Sequence, residues 1–336
     1  MGKKRAICLG LAIVFVSILL PGCGGGKKGS NTKKDRYVVG FSQIGTESDW
    51  RIANTTEMKE AYGQNPRFTL LYSDAEQKRE NQITAIRDFI KQKVDAIIIV
   101  PIVATGWDAI LTEAREAEIP VILINRGARM VSGNIEDFTV CLVAPDNVYA
   151  GELLARTFIN SLGDESGPIY VAEITGTIGS SSAVDRGRGI QNVIENDDRV
   201  IIRYSQTGDF NRTTARHVSD SIIRTARAEG VRLQGVIAQS DDMALGAMQS
   251  FIDAGIDPGR DIKIVGIDGI RDAFEAMVKG LYYASVENPL GYGDATIAIL
   301  LDLLDNGKKP DDYWVVLKNK VYLQKDAAEA LPNRKY

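Results

Sequence analysis

Acidic, guanidinium and aromatic side chains fall together in a series of short polar loops along this chain. GTESDWR carries Glu47, Trp50 and Arg51, and NRGAR carries Asn125 and Arg126. TGTIGSSSAVDR ends in Asp185 and Arg186, and QTGDFNR brings Phe210 and Arg212. SDD supplies Ser240, Asp241 and Asp242, DG supplies Asp268, and ENP supplies Glu287 and Asn288. Such a set suits a ring with vicinal hydroxyls. The hydroxyls donate to carboxylates and accept from Arg, while the C–H faces of the ring pack on aromatic side chains. Charge-assisted hydrogen bonds contribute roughly 1.5–3 kcal/mol each. Two or three of them with an aromatic platform reach micromolar binding, about −8 kcal/mol.

Each residue also has a plain structural reading. Asp241 and Asp242 precede a helical run and are placed to cap it. Arg186 and Arg188 fit a solvated helix face, and Trp50 fits a core. Gly176-Thr177-Ile178-Gly179 lacks the GxGxxG and Walker spacings and reads as a tight strand-to-helix turn. Catalysis has little support. His217 is the one histidine, mid-helix among polar neighbours, and no GxSxG loop offers a nucleophile. Cys141 sits in an apolar strand, and no Cys/His cluster has metal-ligand spacing. Helix capping explains the Asp241/Asp242 pair without an acid–base role. No enzyme, metal or cofactor is expected. What favours binding is that the polar groups recur at equivalent positions in both halves of the chain.

Those positions are strand ends. From Tyr37, apolar runs alternate with segments of helical period: YVVGF, FTLLY, DAIIIV, PVILI and TVCLVA, then PIYVAEI, VIIRYS, GVIAQ and DIKIVGI. Continuous apolar strands without polar alternation indicate parallel sheets covered on both faces. Strand–helix alternation is the doubly wound α/β pattern. It runs once, starts again after Ala144, and ends in a further strand–helix–strand stretch, YYASVE, Tyr292–Leu304 and YWVVL. In open α/β sheets ligands bind beyond the carboxyl ends of the strands, where the polar loops lie.

The N-terminus reads as an export signal. Lys3, Lys4 and Arg5 precede the apolar run Ala6–Leu20, which is shorter than the ~20 residues of a spanning helix. Leu20-Pro21-Gly22-Cys23 resembles a bacterial lipobox, so residues 1–22 are expected to be removed and Cys23 to carry the lipid anchor. Residues 23–36, rich in Gly and Lys, read as a flexible tether. Loss of the signal lowers 40 Lys and Arg to 37 against 44 Asp and Glu, a net of −7. That sign argues against nucleic acid as a partner. Cys141 is then the one free thiol, so no internal disulfide forms.

GFSQIGTESDWR, ENQITAIRDFI, VDAIIIVPIVATGW, GTIGSSSAVDRGRG, GDFNR, SDDMALGAMQ and GIDG together resemble a known family. It is the sugar-binding proteins of ABC importers in the ribose/galactose class, and within it the galactofuranose-binding proteins. The resemblance runs from Tyr37 to about Leu323. It implies two doubly wound parallel-sheet lobes joined by a three-crossing hinge, the type I periplasmic binding protein fold. Residues 37–143 and 289–317 would form the N-terminal lobe, 144–288 and 318–324 the C-terminal lobe, and 325–336 a tail. A monosaccharide would lie between the lobes and pass to an ABC permease and ATPase complex. Glu47, Trp50, Arg51 and Arg126 would hold it from one lobe. Asp185, Arg186, Phe210, Arg212, Asp241 and Asp268 would hold it from the other, with Glu287 at a crossing. Asn125 and Ser240 depart from the family's Asp and Asn at these positions, which changes the donors and acceptors offered.

The resemblance makes the protein a lipid-anchored, monomeric receptor facing the periplasm or the cell exterior. Two other readings share the frame: a sensor that presents its closed state to a chemoreceptor or histidine kinase, and a carbohydrate-acting enzyme. Neighbouring permease and ATPase genes separate importer from sensor, and turnover of bound sugar separates receptor from enzyme. The sugar-responsive repressors carry a helix-turn-helix where this chain has its export signal.

Overall fold

The nine strands expected in the two halves are all present, divided between two sheets, in a computed structural model that describes residues 33–336. The first five are β1 (Tyr37–Gln43), β2 (Phe68–Asp74), β3 (Ala96–Ile99), β4 (Val121–Ile124) and β5 (Cys141–Pro145). The next are β6 (Ile169–Thr175), β7 (Val200–Thr207), β8 (Leu233–Ala238), β9 (Lys263–Asp268) and β10 (Ala284–Glu287). Two short strands follow, β11 (Trp314–Leu317) and β12 (Lys320–Leu323). The sheet orders are β11-β5-β4-β3-β1-β2 and β12-β10-β9-β8-β6-β7. All pairings are parallel except β10 with β12, an antiparallel edge that the apolar runs did not announce. Every residue of β3 and β4 is buried, as a strand covered on both faces requires.

The chain passes between the sheets three times: after β5, after β10 and between β11 and β12. The two doubly wound parallel-sheet lobes of the expected fold class are therefore borne out.

Helices α1 (Asp49–Gln64), α2 (Arg79–Lys91) and α3 (Asp108–Glu116) accompany the first sheet. Next come α4 (Asn147–Leu162), α5 (Ser181–Ile194), α6 (Arg212–Glu229), α7 (Asp241–Asp253) and α8 (Arg271–Val278). Helix α9 (Tyr292–Asn306) returns to pack on α1, and the four-residue α10 (Ala327–Ala330) lies against α8. Several helices begin on a side-chain cap at a strand-end loop. Ser48, Asp146, Ser180, Asn211 and Ser240 each accept from a backbone N–H three residues on. These caps satisfy orphan donors of the first turn and fix where each helix starts. Arg51 in the first turn of α1 and Asn147 at the start of α4 are therefore presented from a fixed origin.

Helices α4 and α5 meet backbone to backbone. A Cβ built on Gly189 would fall 1.9 Å from the Val148 carbonyl oxygen, and one on Gly151 would fall 2.2 Å from that of Arg186. Only glycine allows that approach, and it fixes α5 rigidly against α4.

The expected signal segment and Cys23 lie outside the described residues. Within the expected tether, Lys33–Arg36 is not free of the fold. The Lys34 amine pairs with Asp95, and Arg36 Nε donates to the Phe68 carbonyl at 3.2 Å. Apolar periodicity is blind to such an attachment, which rests on charge and a strand-end carbonyl.

Candidate ligand chamber between the lobes

Three guanidinium groups meet between the sheets. Arg51 sits one turn into α1, Arg126 follows β4, and Arg186 lies in α5; all three are about 97 % buried or more. Arg51 Nε donates to Glu47 Oε1 at 3.0 Å, and Arg126 Nη2 lies 3.7 Å from the same oxygen. Arg186 donates to Asn147 Oδ1 at 3.0 Å and to the Gln239 carbonyl at 2.6 Å. Its Nη2 stands 3.9 Å from Asp268 Oδ1. The Arg126 and Arg186 groups flank the Phe210 ring, 5.0 and 5.7 Å from its centre. One comes from each lobe.

Phe210 is held there by an unusual backbone. Asp209 and Phe210 both have positive φ, 55° and 54°, a conformation that costs non-glycine residues roughly 1–2 kcal/mol each. A Cβ on Gly176 would lie 1.9 Å from the ring's Cζ, so the β6–α5 turn must be glycine for the ring to seat. The expected tight turn is present, and its purpose is to admit Phe210. Gln239 ties these parts together: its Oε1 accepts from Gly176 N at 3.0 Å, and Glu173 accepts from its Nε2 at 3.2 Å.

Asn125 also has a positive φ, 61°. Its Oδ1 accepts from Arg51 Nη2 at 2.9 Å and its Nδ2 donates to the Tyr292 hydroxyl at 3.2 Å, so it orients Arg51. Trp50 is 2 % exposed, donates Nε1 to the Asn288 carbonyl at 2.7 Å and meets Tyr292 edge-on. It therefore fills the core beside the crossing as well as bordering the Arg51 side of the chamber.

Several expected contacts stand elsewhere. Asp185 is next to Arg186 in sequence, but neighbours on a helix point about 100° apart. It pairs with Arg188 at 3.0 Å in an outer groove of about 290 Å³ near the first crossing. Asp241 points back into the second lobe. It accepts from Gly269 N, Ile270 N, Tyr282 Oη and Ser285 Oγ, which leaves it no capacity for a ligand. Ser240 caps α7. Glu287 is taken by Arg334 at 2.6 Å, and the next residue, Asn288, reaches Asp268 Oδ1 at 3.3 Å. Arg212 binds three carboxylates at the mouth. His217 is exposed, and the buried Cys141 thiol is pushed up to about 12 by burial. Asn147, Gln239 and Tyr292 join the site without having been singled out. Their signal in the sequence is only that each flanks a strand end or a crossing.

The electrostatics follow from burial. Burial opposes ionisation of Glu47, but Arg51 and Arg126 outweigh it and hold its pKa below the usual range. Arg126 is brought down to about 9, first by burial and then by Arg51. Asp268 is pushed up to about 8 by burial, which Arg186 only partly offsets. Burial also leaves Glu47 Oε2, Arg126 Nε and Asn288 Oδ1 without protein partners among the described residues. An acceptor, a donor and an amide oxygen are thus left buried and unpaired on residues that contact the Arg51, Arg126 and Asp268 groups.

The family profile described as periplasmic binding protein domain matches residues 39–309. This chain belongs to the periplasmic binding protein family. The galactofuranose-binding protein YtfQ of Escherichia coli K12 is 38 % identical over 298 residues, 89 % of this chain and 91 % of that one. A Mycobacterium smegmatis structure in complex with β-D-fucofuranose is 34 % identical with a TM-score of 0.84, covering 89 % of this chain and 95 % of that one. The arabinose-transporter binding protein of Shewanella sp. ANA-3, bound to α- and β-L-arabinofuranose, is 36 % identical with a TM-score of 0.82 and the same two coverages.

For this periplasmic binding protein, Asp268 sets a pH signature. Its folded pKa near 8 lies above the ordinary 3.8, so between those values the folded state holds a proton that the unfolded chain has released. Stability therefore falls as pH rises through that window. Asp242, at about 6, and Glu57, at about 7, contribute with the same sign over narrower ranges. Asp268→Asn is expected to flatten the decline by up to about 1.4 kcal/mol per pH unit. Denaturant unfolding at several pH values between 5 and 8 reads it, and an unchanged slope would contradict the assignment.

Proposed function

We propose that this protein is the exported, lipid-anchored binding component of an ABC-type importer, and that it takes a monosaccharide in furanose form between its lobes. The observation that carries the reading is the set of unpartnered buried atoms, Glu47 Oε2, Arg126 Nε and Asn288 Oδ1, beside the buried guanidinium groups, two of which lie against the Phe210 ring. Hydroxyls are both donors and acceptors, so a polyol offers partners for each of the three. The furanose form is supported by the fucofuranose and arabinofuranose bound in the two solved relatives. Delivery to a permease and ATPase complex is the role the family membership supports. Protein purified from its native host and denatured should release a sugar identifiable by mass spectrometry. Calorimetry with galactofuranose, arabinofuranose and fucofuranose should then rank them. Micromolar or tighter binding of a furanose is expected, and binding of none of them or of a pyranose alone would sink the reading.

The anchor is proposed at Cys23. Cys23→Ala is expected to shift the protein from the membrane fraction to the soluble one, with no acyl mass on its N-terminal peptide. Wild-type protein recovered soluble and unacylated would remove this part of the proposal.

A further inference from the structure

Arg212 was expected among the sugar contacts, yet its guanidinium lies at the mouth, with its side chain 38 % exposed. It reaches across the gap between the lobes. Nη2 pairs with Asp49 Oδ2 of α1 at 2.9 Å, Nε donates to Asp242 Oδ1 at 2.9 Å, and Nη1 pairs with Asp272 Oδ2 at 2.8 Å. Two further bonds cross at the same edge. Asp242 Oδ2 accepts from Asp49 N at 2.8 Å, so a carboxylate of the second lobe sits on the first turn of a first-lobe helix. Asn211 Nδ2 donates to the Glu47 carbonyl at 3.4 Å. None of these bonds uses an atom of the chamber's unpartnered set.

We propose that Arg212, with Asp49 and Asp242, is an interlobe latch that positions the two lobes in the closed state and sets how fast a bound sugar leaves. It rests on the reading of the chamber as a sugar site. Asp272 is on Arg212's own lobe, and it holds the guanidinium aimed across the gap. Asp49 and Asp272 are each about half exposed, so salt weakens the latch, whereas the buried chamber contacts are screened much less. The latch favours the closed arrangement with or without a sugar, and once a sugar is inside it acts on dissociation more than on association.

Stopped-flow kinetics with the sugar released from the native protein, at low and high salt, test it. Arg212→Ala should release sugar about tenfold faster and Asp49→Ala about threefold faster, with association within about twofold of wild type. Raising salt should speed release from wild type and change it little in Arg212→Ala. Asp272→Ala should have a smaller effect than Asp49→Ala, since it removes no interlobe bond. Small-angle scattering of the sugar-free proteins gives a reading independent of the ligand: Asp49→Ala should have the larger radius of gyration at low salt. Release and radius unchanged in both Asp49→Ala and Arg212→Ala would overturn the latch. Faster release in Arg212→Ala with release and radius unchanged in Asp49→Ala would instead make Arg212 a ligand contact. Wild-type protein that binds no sugar would defeat the sugar reading, while the scattering comparison would still decide the latch.

Discussion

Arg126→Ala is expected to bind its sugar about 30-fold to 1,000-fold more weakly than wild type, yet to melt no earlier when sugar-free. The affinity loss follows from what the side chain leaves behind. Removing its donors strands sugar hydroxyls in a dry chamber, which costs roughly 2–4 kcal/mol. The stability expectation comes from crowding. Arg126 is buried beside Arg51 and Arg186, and its lowered pKa records the strain of that arrangement. Glu47 keeps its shorter bond to Arg51, so no buried carboxylate is left unpaired. Arg126→Lys should recover only part of the affinity, because an ammonium cannot reproduce the planar fork beside Phe210. Calorimetry with melting curves reads both quantities. Binding within about threefold of wild type would show that the chamber is misplaced.

The second large effect is on the scaffold. Gly189→Ala places a methyl group 1.9 Å from the Val148 carbonyl oxygen and 2.9 Å from Glu152 N, and neither backbone atom can move alone. Helices α4 and α5 must part. Overpacking of this kind costs about 1–3 kcal/mol or more, against a gain of at most about 1 kcal/mol from alanine's helix propensity. Parting the helices also pulls Arg186 on α5 away from Asn147 on α4, so the variant should lose affinity as well as stability. Gly63→Ala, where a Cβ meets nothing within 4 Å, is the control. Gly189→Ala unfolding at the wild-type denaturant concentration would refute the close contact.

What the sequence made legible was what burial writes in runs. Strands such as DAIIIV and PVILI are apolar throughout because both faces are covered, and their ends pointed to Glu47, Arg51, Arg126, Arg186, Phe210 and Asp268. The short elements were not legible. Helix α8 has eight residues and β12 four, too few for a period to emerge. Nor does sequence say which of two adjacent polar residues turns inward. Asp185 and Arg186 differ by one step along a helix, as do Asp241 and Asp242, and the step decides between groove and chamber, or between lobe interior and mouth. Glu287 and Asn288 trade places for a related reason: Arg334, distant in sequence, claims the glutamate. Asn147 and Gln239 escaped because they act by holding Arg186, and nothing local marks a residue that acts through another.

The hydrogen bond from the Trp50 indole to the Asn288 carbonyl has an optical consequence. The chain has three tryptophans, and of these Trp50 is the one buried against the second crossing. Trp107 is 1 % exposed inside the first lobe, and Trp314 lies on an edge strand of the same sheet. Trp50 touches the second crossing, with the Arg51 guanidinium 4.9 Å from its ring centre. The emission energy of an indole depends on the charges and dipoles around its excited state. Opening the lobes would strain or break the bond to Asn288, shifting the emission colour and quantum yield of this one ring. Excited at the red edge of its absorption band, the unlabelled protein should therefore report its own closure as a change of fluorescence.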